Sequence, residues 1–115
     1  MPVTIYHNPR CGKSRETLKL LEAHGHRPKV VEYLKRPPSA AELARIAKLL
    51  GLPPRQLLRT KEPEYKAARL DNPKLSDSAI IAAMVKHPIL IERPIVVAGA
   101  KAALGRPPEQ VLKIL

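Results

Sequence analysis

The chain has 115 residues, of which 44% are hydrophobic and 27% charged, a composition typical of one soluble globular domain covering residues 1–115. Its net charge of +11 favours anionic ligands, but the absence of Phe and Trp and the scattering of Lys and Arg argue against a nucleic-acid surface. No apolar run is long enough to span a membrane.

The first third of the chain has the pattern of a β-α-β unit. Residues 2–7 alternate as a strand, residues 12–24 have helical spacing that ends near Gly25, and Lys29 to Leu34 forms a second strand. Because one helix connects the two strands, we expect them to be parallel.

A block of helices is expected next. It contains a helix from the capping box Ser39-Ala40-Ala41-Glu42 to Gly51, a short helix through Gln56 and Leu58, another from about Pro63 to Leu70, and one capped by Ser76 or Asp77.

After Pro88 the pattern returns to strands. Pro94 to Ala98 is a strand, Gly99 supplies a turn, Lys101 to Leu104 returns beside it, and Pro107-Pro108-Glu109 opens a last helix. The element order predicts an α/β, thioredoxin-like fold: a four-stranded mixed sheet with a helical insertion between the β-α-β and β-β-α halves.

The one cysteine, Cys11, lies where the first strand gives way to the first helix. The helix N-terminus and the flanking Arg10, Lys13 and Arg15 favour a thiolate, and the alternative is a small buried cysteine packed as a hydrophobe. Ser14 stands where a redox pair would have its second cysteine. Its hydroxyl can hydrogen-bond the thiolate but cannot resolve a disulfide, so an oxidised Cys11 requires an external thiol.

Spacing excludes two phosphate-binding motifs and gives no metal site. A P-loop needs glycine where His7 stands, and a cysteine-phosphatase loop needs arginine where Thr17 stands. We predict no metal, because the remaining histidines have no metal-ligand spacing with Cys11; they are His24, His26 and His87. A lone cysteine and the lack of a signal peptide favour the cytoplasm, and we expect a monomer.

Several segments together carry a resemblance that runs from residue 3 to the C-terminus. They are Ile5-Tyr6-His7-Asn8-Pro9 with Cys11-Gly12-Lys13-Ser14-Arg15, Leu57-Leu58-Arg59, His87-Pro88-Ile89-Leu90-Ile91-Glu92-Arg93-Pro94-Ile95-Val96-Val97, and Gly105-Arg106-Pro107. These segments resemble the glutaredoxin-coupled arsenate reductase family, which has a thioredoxin-like fold. The end of the chain at Leu115 and the residues around Cys11 resemble a short chromosomal branch of that family.

The resemblance implies roles for individual residues. Cys11 is the expected nucleophile, and the side chains expected to bind arsenate or a similar oxyanion are Arg59, Arg93 and Arg106. Guanidinium groups suit such oxyanions because they donate paired hydrogen bonds. The residues expected to tune the thiolate are His7, Ser14 and Arg15. The resemblance also implies a cis bond at Arg93-Pro94 that directs Arg93 toward Cys11.

The implied activity is a thiol-dependent reduction of arsenate to arsenite through a Cys11 adduct. Glutathione is the expected co-substrate and glutaredoxin the expected partner, with no tightly bound cofactor. The alternative is a non-enzymatic thioredoxin-like regulator that binds a protein partner, of the type that binds RNA polymerase. Such regulators generally carry Cys-x-x-Cys, and Ser14 argues against that switch.

Overall fold

A four-stranded mixed sheet organises the first of two units, formed by residues 2–36 and 93–115 of a computed structural model that describes residues 2–115. The strands are β1 (Val3–His7), β2 (Lys29–Glu32), β3 (Ile95–Ala98) and β4 (Lys101–Leu104), in the spatial order β2-β1-β3-β4. β1 is parallel to β2 and antiparallel to β3, which is antiparallel to β4. The expected sheet is therefore confirmed.

The register of the sheet sets two segments side by side. Tyr6 of β1 pairs with Ile95 of β3, so the end of β1 that leads toward Cys11 lies beside the start of β3. The segment entering β3 at that point is Arg93-Pro94. The opposite end of the sheet has Val3 paired with Ala98.

One α-helix and one 3₁₀ helix pack against the sheet in this unit. They are α1 (Gly12–Ala23) and a 3₁₀ helix at Pro108–Ile114. The core they share with the sheet consists of the buried residues Val3, Ile5, Leu21, Val96, Ala98 and Val111. The final helix was expected, and its 3₁₀ form suits a short segment in which Gln110 donates to the Pro107 carbonyl three residues back.

β2 is shorter than the predicted strand Lys29 to Leu34. The amides of Lys35 and Arg36 both donate to the Glu32 carbonyl at 2.9 Å, so the chain turns before Tyr33 can pair. Tyr33 is nevertheless buried, so the apolar pattern that predicted a strand continues past the end of β2.

The second unit, Pro37–Glu92, contains the helical insertion. Its elements are α2 (Ala40–Leu50), a 3₁₀ helix at Pro54–Leu57, α3 (Pro63–Ala67), α4 (Asp77–Lys86) and a 3₁₀ helix at Pro88–Leu90. The Oγ atom of Ser39 accepts from the Glu42 amide, and that of Ser76 from the Ala79 amide, as the capping patterns predicted. α3 ends before Leu70 because Arg69 adopts a positive φ of 54°.

Candidate active site

Cys11 occupies the N-cap position of α1, at the end of a short loop that Asn8 holds in shape. The Cys11 amide donates to the Asn8 carbonyl at 3.0 Å, and the Arg10 amide donates to Asn8 Oδ1 at 3.0 Å. Asn8 itself is buried. Asn8 was assigned no role from the sequence, although an Asn-Pro dipeptide is a typical turn signal.

The surroundings of the sulfur favour its ionised form. Burial raises the pKa of the Cys11 thiol, but several groups lower it: the backbone N–H of Ser14, the hydrogen bond and charge of Arg93, and the backbone N–H of Lys13. The lowering groups prevail, so the pKa lies below the ordinary cysteine value. Two of these donors, the N–H groups of Lys13 and Ser14, are in the first turn of α1, where a helix favours negative charge.

Two arginines reach the same sulfur from the segments that flank the β3–β4 hairpin. Arg93 hydrogen-bonds Cys11, and its Nε and Nη1 atoms are buried. Arg106 is exposed, with Nη2 3.9 Å from Cys11 Sγ and Nε donating to the Arg93 carbonyl at 2.8 Å. Both arginines precede cis prolines, so the expected cis bond at Arg93-Pro94 is confirmed, with a second at Arg106-Pro107. The structure thus brings together two of the three predicted oxyanion-binding arginines.

Gly105 fixes the spacing between these segments and α1. Its amide donates to the Pro94 carbonyl at 3.0 Å. A Cβ added at Gly105 would collide with Oγ1 of Thr17 and lie 2.6 Å from Cγ of Pro94. Thr17 is fully buried and donates its hydroxyl to the Lys13 carbonyl within α1. This contact was not predicted from the sequence, where the glycine directly before Arg106 was its only signal.

The Ser14 hydroxyl was expected to hydrogen-bond the thiolate, but it contacts His7 and Asn8 instead. Its Oγ lies 2.6 Å from His7 Nδ1 and accepts the Asn8 amide at 3.0 Å. Ser14 acts on Cys11 through its backbone N–H instead. His7 touches the serine rather than the sulfur, and burial, together with the charge of Arg15, lowers the His7 pKa despite the opposing charge of Glu32.

The cations beside Cys11 in the sequence do not account for its thiolate. Arg10, Lys13 and Arg15 all have exposed side chains, and the charge that lowers the thiol pKa is that of Arg93. Arg15 donates to the Pro9 carbonyl at 2.9 Å, so it braces the loop. The prediction that these flanking side chains stabilise the thiolate is therefore corrected. The side chains of Arg10 and Lys13 are exposed to screening by solvent, and the Arg15 guanidinium is engaged with the Pro9 carbonyl.

Arg59, the third predicted oxyanion ligand, lies in the second unit. Its Nε donates to Glu62 at 3.2 Å and its Nη1 to Glu92 at 3.0 Å, with all three side chains about three-quarters buried. The Arg59 amide donates to the Leu90 carbonyl at 2.8 Å. This backbone bond and the two carboxylates fix the guanidinium within its unit.

Residues 2–115 contain no cluster of three or more His, Cys, Asp or Glu side chains that could hold a metal ion. Within the same range, no helix is long and apolar enough to cross a bilayer.

Comparison with known proteins agrees with this geometry. Residues 6–114 match the ArsC family. The Haemophilus influenzae arsenate reductase is 53% identical over 116 residues, and the match covers all of both chains. An uncharacterized Escherichia coli protein, YfgD, is 56% identical, and the match covers 98% of this chain and 96% of that protein. The solved arsenate reductase from Vibrio cholerae is 56% identical with a TM-score of 0.97, covering 100% of this chain and 98% of its own. The chain therefore belongs to the ArsC family and has its thioredoxin-like fold.

Proposed function

We propose that the protein is an arsenate reductase in which the Cys11 thiolate is the nucleophile. One observation carries this proposal: helix N–H groups, Arg93 and Arg106 all converge on a single sulfur. Such a set of donors favours a thiolate and also binds the oxygens of a tetrahedral anion beside it. The names of close relatives support arsenate as that anion.

The first step joins the sulfur to arsenic. The thiolate attacks arsenic(V), an S–As bond forms, and one As–O bond breaks as that oxygen leaves as water after protonation. Both reactants are anionic, so their repulsion opposes the step. Arg93 and Arg106 offset this repulsion, since guanidinium groups stabilise the charge that collects on the remaining oxygens.

The second step reduces arsenic. A glutathione thiolate attacks Cys11 Sγ, an S–S bond forms, and the S–As bond breaks with its electron pair on arsenic. Arsenic(V) becomes arsenic(III), and arsenite leaves. Glutaredoxin then attacks the glutathione sulfur of the mixed disulfide and releases the Cys11 thiolate. The external thiols follow from Cys11 being the only cysteine in the sequence.

An assay of arsenite formation tests the proposal. Purified protein with arsenate, glutathione and glutaredoxin is expected to form arsenite, and Cys11→Ser is expected to abolish this activity, because a serine hydroxyl is a far poorer nucleophile at neutral pH. Unchanged circular dichroism and urea unfolding would show that the serine variant is folded. Arsenite formation by the serine variant, or none by the wild type, would contradict the mechanism.

A further inference from the structure

Two exposed cationic side chains, those of Arg10 and Lys13, flank Cys11 in the sequence. The Arg10 backbone is fixed by Asn8, while its side chain faces solvent. The Lys13 ammonium lies 3.9 Å from Glu16 Oε2, and these side chains are 50% and 61% exposed. An exposed ion pair of this kind contributes little to stability. The charges of Arg10 and Lys13 are therefore available to a molecule that approaches the sulfur from solvent.

The positive charge of the chain is concentrated on the unit that carries Cys11. This unit has 12 Lys and Arg residues and 4 Asp and Glu residues, whereas the second unit has 9 and 6. A local excess of one sign attracts ions of the opposite sign and raises their association rate. The surroundings of Cys11 are thus suited to anionic reactants in general.

The reaction brings two anions to one sulfur in succession. When the reductant arrives, the arsenic adduct already occupies the donors at Cys11, notably Arg93 and Arg106. The reductant is itself an anion, and it approaches a sulfur that carries a charged oxyanion. Its charge must be balanced by cations other than those two arginines. Arg10 directly precedes Cys11 and Lys13 lies in the first turn of α1, so they are the exposed cations nearest to Cys11 in the sequence.

We propose that Arg10 and Lys13 form the docking site for the carboxylates of the thiol reductant. The reductant that fits is a small thiol of the glutathione type, with a carboxylate on each side of its cysteine. The inference rests on the proposed function only in taking Cys11 as the thiolate that an external thiol must reach. Arg93 and Arg106 then serve the oxyanion, and Arg10 and Lys13 serve the reductant.

A thiol–disulfide exchange reaction tests this assignment without arsenate. The Cys11 thiolate attacks one sulfur of glutathione disulfide, a new S–S bond forms, and a glutathione thiolate leaves. Cystamine, a disulfide with two ammonium groups, undergoes the same reaction with the opposite charge. The ratio of the two rate constants cancels any change in the thiolate fraction of Cys11. The variant is the double neutralisation Arg10→Gln and Lys13→Gln.

The matched control is the double variant Lys29→Gln and Lys101→Gln. Both lysines are exposed and lie in the same unit, and the change in net charge is identical. Lys29 pairs with Thr4, and Lys101 pairs with Ala98, which in turn pairs with Val3. Both controls are therefore at the end of the sheet remote from Cys11.

We divide the rate constant with glutathione disulfide by the rate constant with cystamine. At low salt, this ratio is expected to be about tenfold lower in the Arg10/Lys13 variant than in the wild type. Added salt is expected to shrink the difference. The Lys29/Lys101 variant is expected to keep most of the wild-type ratio. An unchanged ratio in the first variant, or an equal fall in both variants, would overturn the docking site. Failure of the wild type to form arsenite would refute the proposed function and leave this result unaffected.

Discussion

The Nδ1 atom of His7 lies 2.6 Å from the Oγ atom of Ser14, and this contact anchors the serine hydroxyl to the end of β1. The same oxygen accepts the amide of Asn8 at 3.0 Å, and all three residues are buried. Ser14 therefore has two separate roles. Its side chain joins α1 to the loop before Cys11, while its backbone N–H stabilises the thiolate.

Ser14→Ala is expected to affect stability more than thiol chemistry. The variant leaves the buried Asn8 amide and His7 Nδ1 without this partner, at a cost of about 1–3 kcal/mol in the free energy of unfolding. The backbone N–H remains, so the Cys11 pKa is expected to rise less than in Arg93→Ala. Urea unfolding and alkylation against pH measure the two effects. Ser78→Ala, an exposed serine in α4, is the control. A large pKa rise with unchanged stability would contradict this assignment.

His7 is expected to make stability depend on pH below neutrality. Burial lowers its pKa, with a further lowering from Arg15 and an opposing effect from Glu32. The unfolded chain, with a His pKa of about 6.5, therefore binds a proton more readily than the folded chain. The stability that neutral His7 contributes is fully present above about pH 6.5, and it is lost as the pH falls through the pKa of His7 in the folded protein.

The comparison with His7→Gln isolates this contribution. Urea unfolding at intervals from pH 7.5 to 5 is expected to show a weaker decline for the variant than for the wild type, whatever its absolute stability. Parallel declines in the two proteins would show that other groups cause the acid sensitivity.

Local sequence signals predicted the elements well, because caps and periodicity act over a few residues. The Ser39 and Ser76 caps are examples: each hydroxyl accepts an amide three residues on. The cis bond at Arg93-Pro94 came from the family resemblance, since proline alone permits either isomer.

Contacts between distant segments do not follow from such local signals, and the approach of Arg93 to Cys11 was expected from the family resemblance alone. The cation that lowers the Cys11 pKa is Arg93, and the adjacent cations in the sequence face solvent. Sequence proximity suggested Arg10, Lys13 and Arg15, but side-chain direction depends on the helix start and the loop. The orientation of the Ser14 hydroxyl likewise depends on where β1 places His7.

Gly105→Ala is expected to destabilise the protein through a steric collision. The new methyl group would overlap Oγ1 of Thr17 and lie 2.6 Å from Cγ of Pro94. The side chains of Thr17 and Pro94 must therefore move away from residue 105 to admit it. Overpacking of this kind costs about 1–3 kcal/mol. Because Gly105 adjoins Arg106 and bonds Pro94, displacement is also expected to weaken arsenate binding.

Gly12→Ala is the matched control for this prediction. Its added Cβ meets nothing closer than Nη2 of Arg15 at 3.9 Å, an ordinary contact, and alanine favours the helix more than glycine does. Urea unfolding is expected to show no loss of stability for this variant. Equal stability of the Gly105 variant and the wild type would show that the segments can separate without cost.

Arg93 and Arg106 are expected to differ in their effect on the Cys11 thiolate, although both reach its sulfur. The hydrogen bond and charge of Arg93 lower the thiol pKa, and its buried Nε and Nη1 atoms are shielded from solvent screening. Arg106 is exposed, and its Nη2 is 3.9 Å from Sγ, too distant for a strong hydrogen bond. Arg93→Ala is therefore expected to move the midpoint of iodoacetamide alkylation to higher pH, so that less thiolate is present at neutral pH.

Arg106→Ala is expected to leave that midpoint near the wild-type value while weakening arsenate binding. The control for net charge is Lys101→Ala, which changes an exposed lysine at the far end of the sheet. Equal shifts in the two arginine variants would mean that overall charge, rather than the buried contact with Arg93, sets the thiol pKa.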